Sequence, residues 1–153
     1  MPSNASGASS PSLRILAIDP GRQKCGLAVA DAGGNALWRQ VLPTAKVVAT
    51  LPVLAQQYGP FAAVVLGDGT GSDALEQAIR EADACPRSPI HRVSEHLSSQ
   101  EARALFLRQE KLPWWLRLLP PGLRFPNRPY DDYVAVILAR RFLRREFPSR
   151  SRE

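Results

Sequence analysis

The sequence predicts an α/β domain built on a mixed five-stranded sheet, a meander of three antiparallel strands followed by two parallel strands, with helices on its flanks. Three observations predict it. Apolar runs at 14–19, 26–31 and 36–42 follow one another with only turn residues between them, which leaves no chain for a crossover and points to hairpin pairing. Two further apolar runs, at 61–66 and 90–93, are each reached through a stretch of helical periodicity, as parallel crossover units require. The length of 153 residues suits one core rather than two.

Each element follows from local chemistry. Arg14-Ile15-Leu16-Ala17-Ile18-Asp19 is β-branched and apolar, and it stops at the turn tripeptide Asp19-Pro20-Gly21. Gly26 to Asp31 and Ala36 to Leu42 flank Gly33-Gly34-Asn35, a hairpin turn. Thr44 is placed to cap a helix in which Val47, Val48, Leu51, Leu54 and Ala55 share a face up to Tyr58-Gly59-Pro60, with Pro52 as a point of kinking. After the 61–66 strand, Gly67-Asp68-Gly69-Thr70-Gly71 leads to Ser72, a cap for a helix through Ala84. Ser98 and Glu101 have capping-box spacing for a helix to about Lys111. Residues 112–129 hold five prolines with Trp114 and Trp115, and predict a long, mobile or partner-ordered loop whose tryptophans could stack on an unpaired base but are expected first to close the core. The last helix begins at Asp131-Asp132 and ends among Arg140, Arg141, Arg144 and Arg145. The predicted organisation is a tail at 1–12, one domain at 13–147 and a tail at 148–153.

Composition narrows the partner. The net charge is +6, and it is unevenly spread: the first 86 residues hold six cations and seven acids, the remainder fourteen and seven. Seventeen of the twenty cations are Arg, whose planar fork suits phosphate, so a polyanionic partner is expected. Cys25 and Cys85 lack metal-ligand spacing and cannot make a disulfide-dense scaffold, which fits a reducing, cytoplasmic setting. No run approaches the length of a membrane span or a signal sequence.

Asp19, Glu95 and the Asp131-Asp132 pair each sit at the edge of an apolar element, where an isolated charge is costly to bury. If the 14–19, 61–66 and 90–93 strands are parallel neighbours, Asp19 and Glu95 leave the sheet at one carboxyl edge, and the final helix presents an aspartate to it. Clustered carboxylates suit a hard divalent ion, Mg²⁺ or Mn²⁺. Two such ions about 4 Å apart would activate water and stabilise a leaving oxygen in phosphodiester cleavage. Asp132 shares a small-residue face with Ala135, Val136 and Ala139 and is expected to point inwards; Asp131 is the second choice or a helper.

Ile18-Asp19-Pro20-Gly21, Gly26-Leu27-Ala28-Val29-Ala30-Asp31, Val64-Val65-Leu66-Gly67, Ser94-Glu95 with Ser98-Ser99 and Glu101-Ala102, and Asp132-Tyr133-Val134-Ala135-Val136 resemble, in that order, the YqgF family. These are RNase H-like pre-16S rRNA nucleases related to the RuvC Holliday junction resolvases, and the resemblance spans about Leu13 to Leu143. It implies an RNase H-like fold, a metal-dependent nuclease, catalytic and metal-ligating roles for Asp19, Glu95 and Asp132, and 5′ maturation of pre-16S rRNA in ribosome biogenesis. RNA is then the expected partner, with ribosomal particles, and structured or junction DNA the alternative, for a monomer or weak dimer. The chain departs from the family pattern at Ser94 and His96 and in its 112–129 insert.

Arg22 and Lys24 follow Asp19 and are candidates to hold a phosphate, as are Thr70 in the glycine loop, His96 beside Glu95, and Arg140, Arg141 and Arg144 along the last helix. Two other classes fit parts of the pattern. A nucleic-acid binding or ribosome-assembly module without turnover would use the cationic half alone. An ATP-binding protein of the actin type would use Asp19-Pro20-Gly21 as a phosphate loop, but the chain lacks a second lobe.

Overall fold

The computed structural model describes residues 12–148, so the two predicted tails lie outside the described residues except for Ser12 and Pro148. The elements run β1 (Arg14–Asp19), β2 (Lys24–Asp31), β3 (Ala36–Pro43), α1 (Thr44–Tyr58), β4 (Ala63–Gly67), α2 (Ser72–Glu81), β5 (Ile90–Val93), α3 (Ser98–Gln109), α4 (Trp114–Arg117) and α5 (Asp131–Glu146). The sheet order is β3-β2-β1-β4-β5. β1, β2 and β3 pair antiparallel, and β1, β4 and β5 run parallel, as the sequence predicts.

Alternation along β1 sends its residues to two cores. Leu16 and Ile18, with Leu27 and Val29, pack beneath Val47, Leu51 and Leu54 of α1 and Leu75 and Ile79 of α2. Ile15 and Ala17, with Ala28 and Ala30, face α3 and α5. That second face is rich in alanine, and α5 answers with Ala135 and Ala139, so helix and sheet approach closely. Among the described residues no helix is long and apolar enough to cross a membrane.

Several local expectations are corrected. Thr44 is the first residue of α1 rather than its cap, and its hydroxyl donates to the Gly21 carbonyl at 2.8 Å, bracing the turn after β1. Pro52 does not interrupt α1; it stands on the exposed side, where a freed carbonyl can meet water. Ser72 does not cap α2, because its hydroxyl accepts from Arg92 at 2.7 Å, and α2 ends at Glu81, short of Ala84. The Ser98–Glu101 capping box does not form: Ser98 donates to the Glu95 carbonyl at 2.6 Å and Glu101 pairs with Arg141.

The 112–129 segment is not structureless. Pro113 leads into the single turn of α4 and Pro120 into a 3₁₀ turn at Pro121–Leu123, with the prolines preset for helix starts. The core is closed there by Leu112 and Leu116, not by the tryptophans: Trp114 is 73% and Trp115 47% exposed.

Candidate active site

Asp19 closes β1, opposite Gly26 on β2 and one residue beyond the Ile18–Leu66 pair with β4. Glu95 lies two residues past β5, parallel to β4, so both leave the sheet at the same edge. The Glu95 backbone is held at both ends. Its N–H donates to Asp68 Oδ1 at 3.0 Å, and its carbonyl accepts from the Ser98 N–H at 2.9 Å and the Ser98 hydroxyl at 2.6 Å. Leu97 takes a left-handed φ of 58° to make that turn. The Glu95 carboxylate rests on Gly67 and Gly69, where a Cβ at either position would collide with its oxygens. Asp68 therefore positions Glu95, a role that reading the glycine loop as a phosphate contact through Thr70 did not anticipate.

Asp19 and Glu95 face each other as two carboxyls. Burial, then the Glu95 charge and a hydrogen bond with it, then the Asp131 charge push the Asp19 carboxyl up to about 8. A hydrogen bond between two carboxyls needs a proton on one of them; with both ionised, Glu95 Oε1 is buried without a donor. Neither carboxylate has an ion-pair partner among the described residues. Two like charges held together without a counter-ion are what a bound cation would relieve.

The α5 carboxylate in charge contact with Asp19 is that of Asp131, while Asp132 pairs with Arg39 and Arg128. The Asp131 carbonyl fills the space over Gly26, the residue opposite Asp19, and so brings the start of α5 to β1. Lys24 Nζ lies 3.5 Å from Asp131 Oδ2. Asp132 is 2% exposed and turns elsewhere, because successive helical residues diverge by about 100°. Arg39 stands 3.5 Å and Arg128 3.3 Å from its carboxylate. The same arginines each reach Glu110 at 3.0 Å, and the Tyr133 hydroxyl donates to Glu110 at 2.6 Å. Burial and the Glu110 hydrogen bond push the Tyr133 hydroxyl up to about 12. The expectation that Asp132 points inwards is correct, but α5 is buried on most sides from 132 to 139, so inward did not mean towards Asp19.

The remaining candidates divide. Arg22 is exposed on the turn after Asp19, and Thr70 and His96 are exposed in the loops flanking Glu95. Arg140 donates to the Gly34 carbonyl at 2.9 Å in the β2–β3 hairpin, beyond the Arg14–Asp31 end of the β1–β2 ladder and opposite the end that carries Asp19. Arg141 binds the Ser94 carbonyl at 2.8 Å and Glu101 at 3.0 Å, bracing the strand that leads to Glu95. Arg144 is exposed; burial, then the charges of Arg144 and Arg108, lower the pKa of the Arg140 guanidinium from its ordinary value. Among the described residues no group of three or more His, Cys, Asp or Glu is arranged to hold a metal ion as it stands. The close set is the pair Asp19–Glu95, with Asp131 in charge contact with Asp19. Mg²⁺ commonly takes one or two carboxylates and keeps water on its other positions, so the pair fits such an ion.

No family model and no curated protein matches the chain. Among solved structures, Thermus thermophilus RuvC is similar with a TM-score of 0.55 at 18% identity, covering 90% of this chain and 96% of that one. T. thermophilus RuvC in complex with a Holliday junction substrate also gives 0.55, at 13% identity, covering 90% and 97%. At these identities the likeness concerns the fold, which is RNase H-like.

Proposed function

We propose that the protein is a metal-dependent nuclease that hydrolyses phosphodiester bonds in structured nucleic acid, with Asp19, Glu95 and Asp131 holding Mg²⁺ or Mn²⁺. The supporting observation is the Asp19–Glu95 pair: two partly buried carboxyls, one with an orphaned oxygen, and no cation paired to either among the described residues. A divalent ion bound there would supply the positive charge that such a pair needs and would offset the negative charge that builds on a phosphodiester as it is attacked. The chain supplies the frame. Asp68 and Ser98 fix Glu95, Gly67 and Gly69 make room for its carboxylate, Gly26 admits the start of α5, and Lys24 steers Asp131. Arg22, exposed on the turn after Asp19, would meet the phosphate of the strand being cut.

The YqgF resemblance favours 5′ trimming of pre-16S rRNA on ribosomal particles in the cytoplasm. Junction DNA is the second reading, favoured by the likeness to RuvC in complex with a Holliday junction substrate. Resolution of a junction would need two sites and hence a dimer. The test is cleavage of a 5′-extended small-subunit rRNA fragment and of a four-way DNA junction with Mg²⁺ or Mn²⁺, by the wild type and Asp19→Asn. Cleavage of one substrate that disappears in Asp19→Asn is expected. Undiminished cleavage by Asp19→Asn overturns the mechanism, and salt-steep binding by both proteins with no cleavage favours the assembly-module class.

A further inference from the structure

The segment between α3 and α5 carries a surface that the carboxylate site does not use. Trp114 is 73%, Leu118 75% and Trp115 47% exposed, and Trp115 leans on Phe125 with ring centroids 5.8 Å apart. Arg117, at the end of the α4 turn that Trp114 begins, lines an open cleft of roughly 490 Å³ together with Arg108, Lys111 and Arg124. None of these four cations has an ion-pair partner among the described residues. The one acid in the cleft wall, Glu110, is already neutralised by Arg39 and Arg128.

Two of the guanidiniums are held in place by main-chain carbonyls. Arg117 Nε donates to Leu112 at 2.9 Å, leaving its terminal nitrogens for another acceptor, and Arg124 donates to Leu119 at 3.1 Å and to Arg117 at 3.1 Å. A fixed guanidinium fork meets a phosphate at lower entropic cost than a free one. An exposed indole next to unpaired fixed cations matches a strand whose bases are free to stack while its phosphates are neutralised. An interfacial membrane helix is a poor match, since α4 is four residues long and has no extended apolar face.

We propose that the Trp114 surface and the adjoining Arg108–Lys111–Arg117–Arg124 cleft bind an unpaired nucleic-acid strand, with Trp114 stacking on a base and the cations on its phosphates. This rests on the nuclease reading only in taking the strand to be part of the substrate. The test is fluorescence polarisation of labelled 12-nucleotide single-stranded RNA and DNA, and of the same sequences as duplexes, with the full chain in EDTA so that no cutting intervenes. Trp114→Ala should weaken single-strand binding about tenfold and leave duplex binding unchanged, in line with a stacking contribution of ~1–3 kcal/mol. Arg108→Ala with Lys111→Ala should flatten the dependence of log affinity on log salt by about 0.7 per cation removed. The two oligonucleotide arms distinguish an RNA strand from a DNA strand.

Equal single-strand binding by Trp114→Ala and wild type overturns the proposal, as does an unchanged salt slope. Selective binding to anionic vesicles or to a protein partner, without oligonucleotide binding, also overturns it. Trp114-dependent binding in a wild type that cuts nothing would retire the nuclease reading and leave this one standing; cleavage with Trp114-independent binding would do the reverse.

Discussion

The carbonyl of Asp131 occupies the space where a side chain would stand on Gly26, and Gly26 is the strand partner of Asp19. The last helix therefore reaches the first strand through an absent side chain, and the distance between two acids 112 positions apart depends on a glycine. Gly26→Ala should push the start of α5 off the sheet. The expected cost is about 1–3 kcal/mol, by analogy with overpacked cores. For a chain of this size that is a melting temperature lowered by several degrees, with hydrolysis lost even at temperatures where the protein stays folded. Calorimetry and a cleavage assay on the same preparation check both.

The Asp19 carboxyl binds its proton more tightly in the folded chain, with its pKa at about 8 against 3.8 for the free group. Between those values the folded state carries more proton than the unfolded state, so stability falls as pH rises. The penalty is absent below about pH 4 and complete above about pH 8. Metal-free wild type should thus melt at a lower temperature at pH 8 than at pH 5. Asp19→Asn should remove most of that difference and melt higher than wild type at pH 8, which thermal melts in EDTA would read directly.

Asp131 and Asp132 are adjacent in sequence and face different partners, Asp19 for the first and Arg39 with Arg128 for the second. Asp131→Asn should keep the fold and lose activity by two orders of magnitude or more. Asp132→Asn should do the reverse in kind: it leaves Arg39 and Arg128 sharing Glu110 alone in a partly buried network, and about 1–3 kcal/mol of stability is the expected loss. Urea unfolding of the two variants beside their cleavage rates separates the roles.

Arg128 ties the proline-rich segment to α5 and α3 through Asp132 and Glu110, and its guanidinium stacks 5.0 Å from the Phe106 ring centroid. Arg128→Ala should loosen that segment. Hydrogen exchange should quicken at the backbone of residues 114–124 while the protection of β1, β2 and β4 stays as it was.

Much of the fold was legible because its signals are local and repeated. The three runs of the meander, the two parallel strands and the last helix each carry a period or a terminator that one sequence displays. The meeting of Asp19 and Glu95 at one sheet edge was legible for the same reason, since both are acids at the ends of apolar runs. Which of Asp131 and Asp132 comes into charge contact with Asp19 was not, since it depends on where Arg39 and Arg128 stand, residues 92 positions and 3 positions upstream of Asp131, and nothing in helical spacing weighs a cross-chain ion pair. The capping motifs at Ser72 and Ser98 failed for a related reason: their hydroxyls found partners on Arg92 and Glu95 that compete with their own helix. The exposed tryptophans were misplaced because Leu112 and Leu116, flanking them, satisfy the core first.

The central claim is that Asp19 and Glu95 face each other to hold a divalent cation, with Asp131 beside them. Anomalous scattering from Mn²⁺-soaked crystals tests it most directly. A peak within about 2.5 Å of carboxylate oxygens of both Asp19 and Glu95, with Asp131 adjacent and none beside Asp132, is the predicted result. Mn²⁺ bound at Asp132 and Glu110, or no peak at Asp19 at millimolar Mn²⁺, would contradict the account.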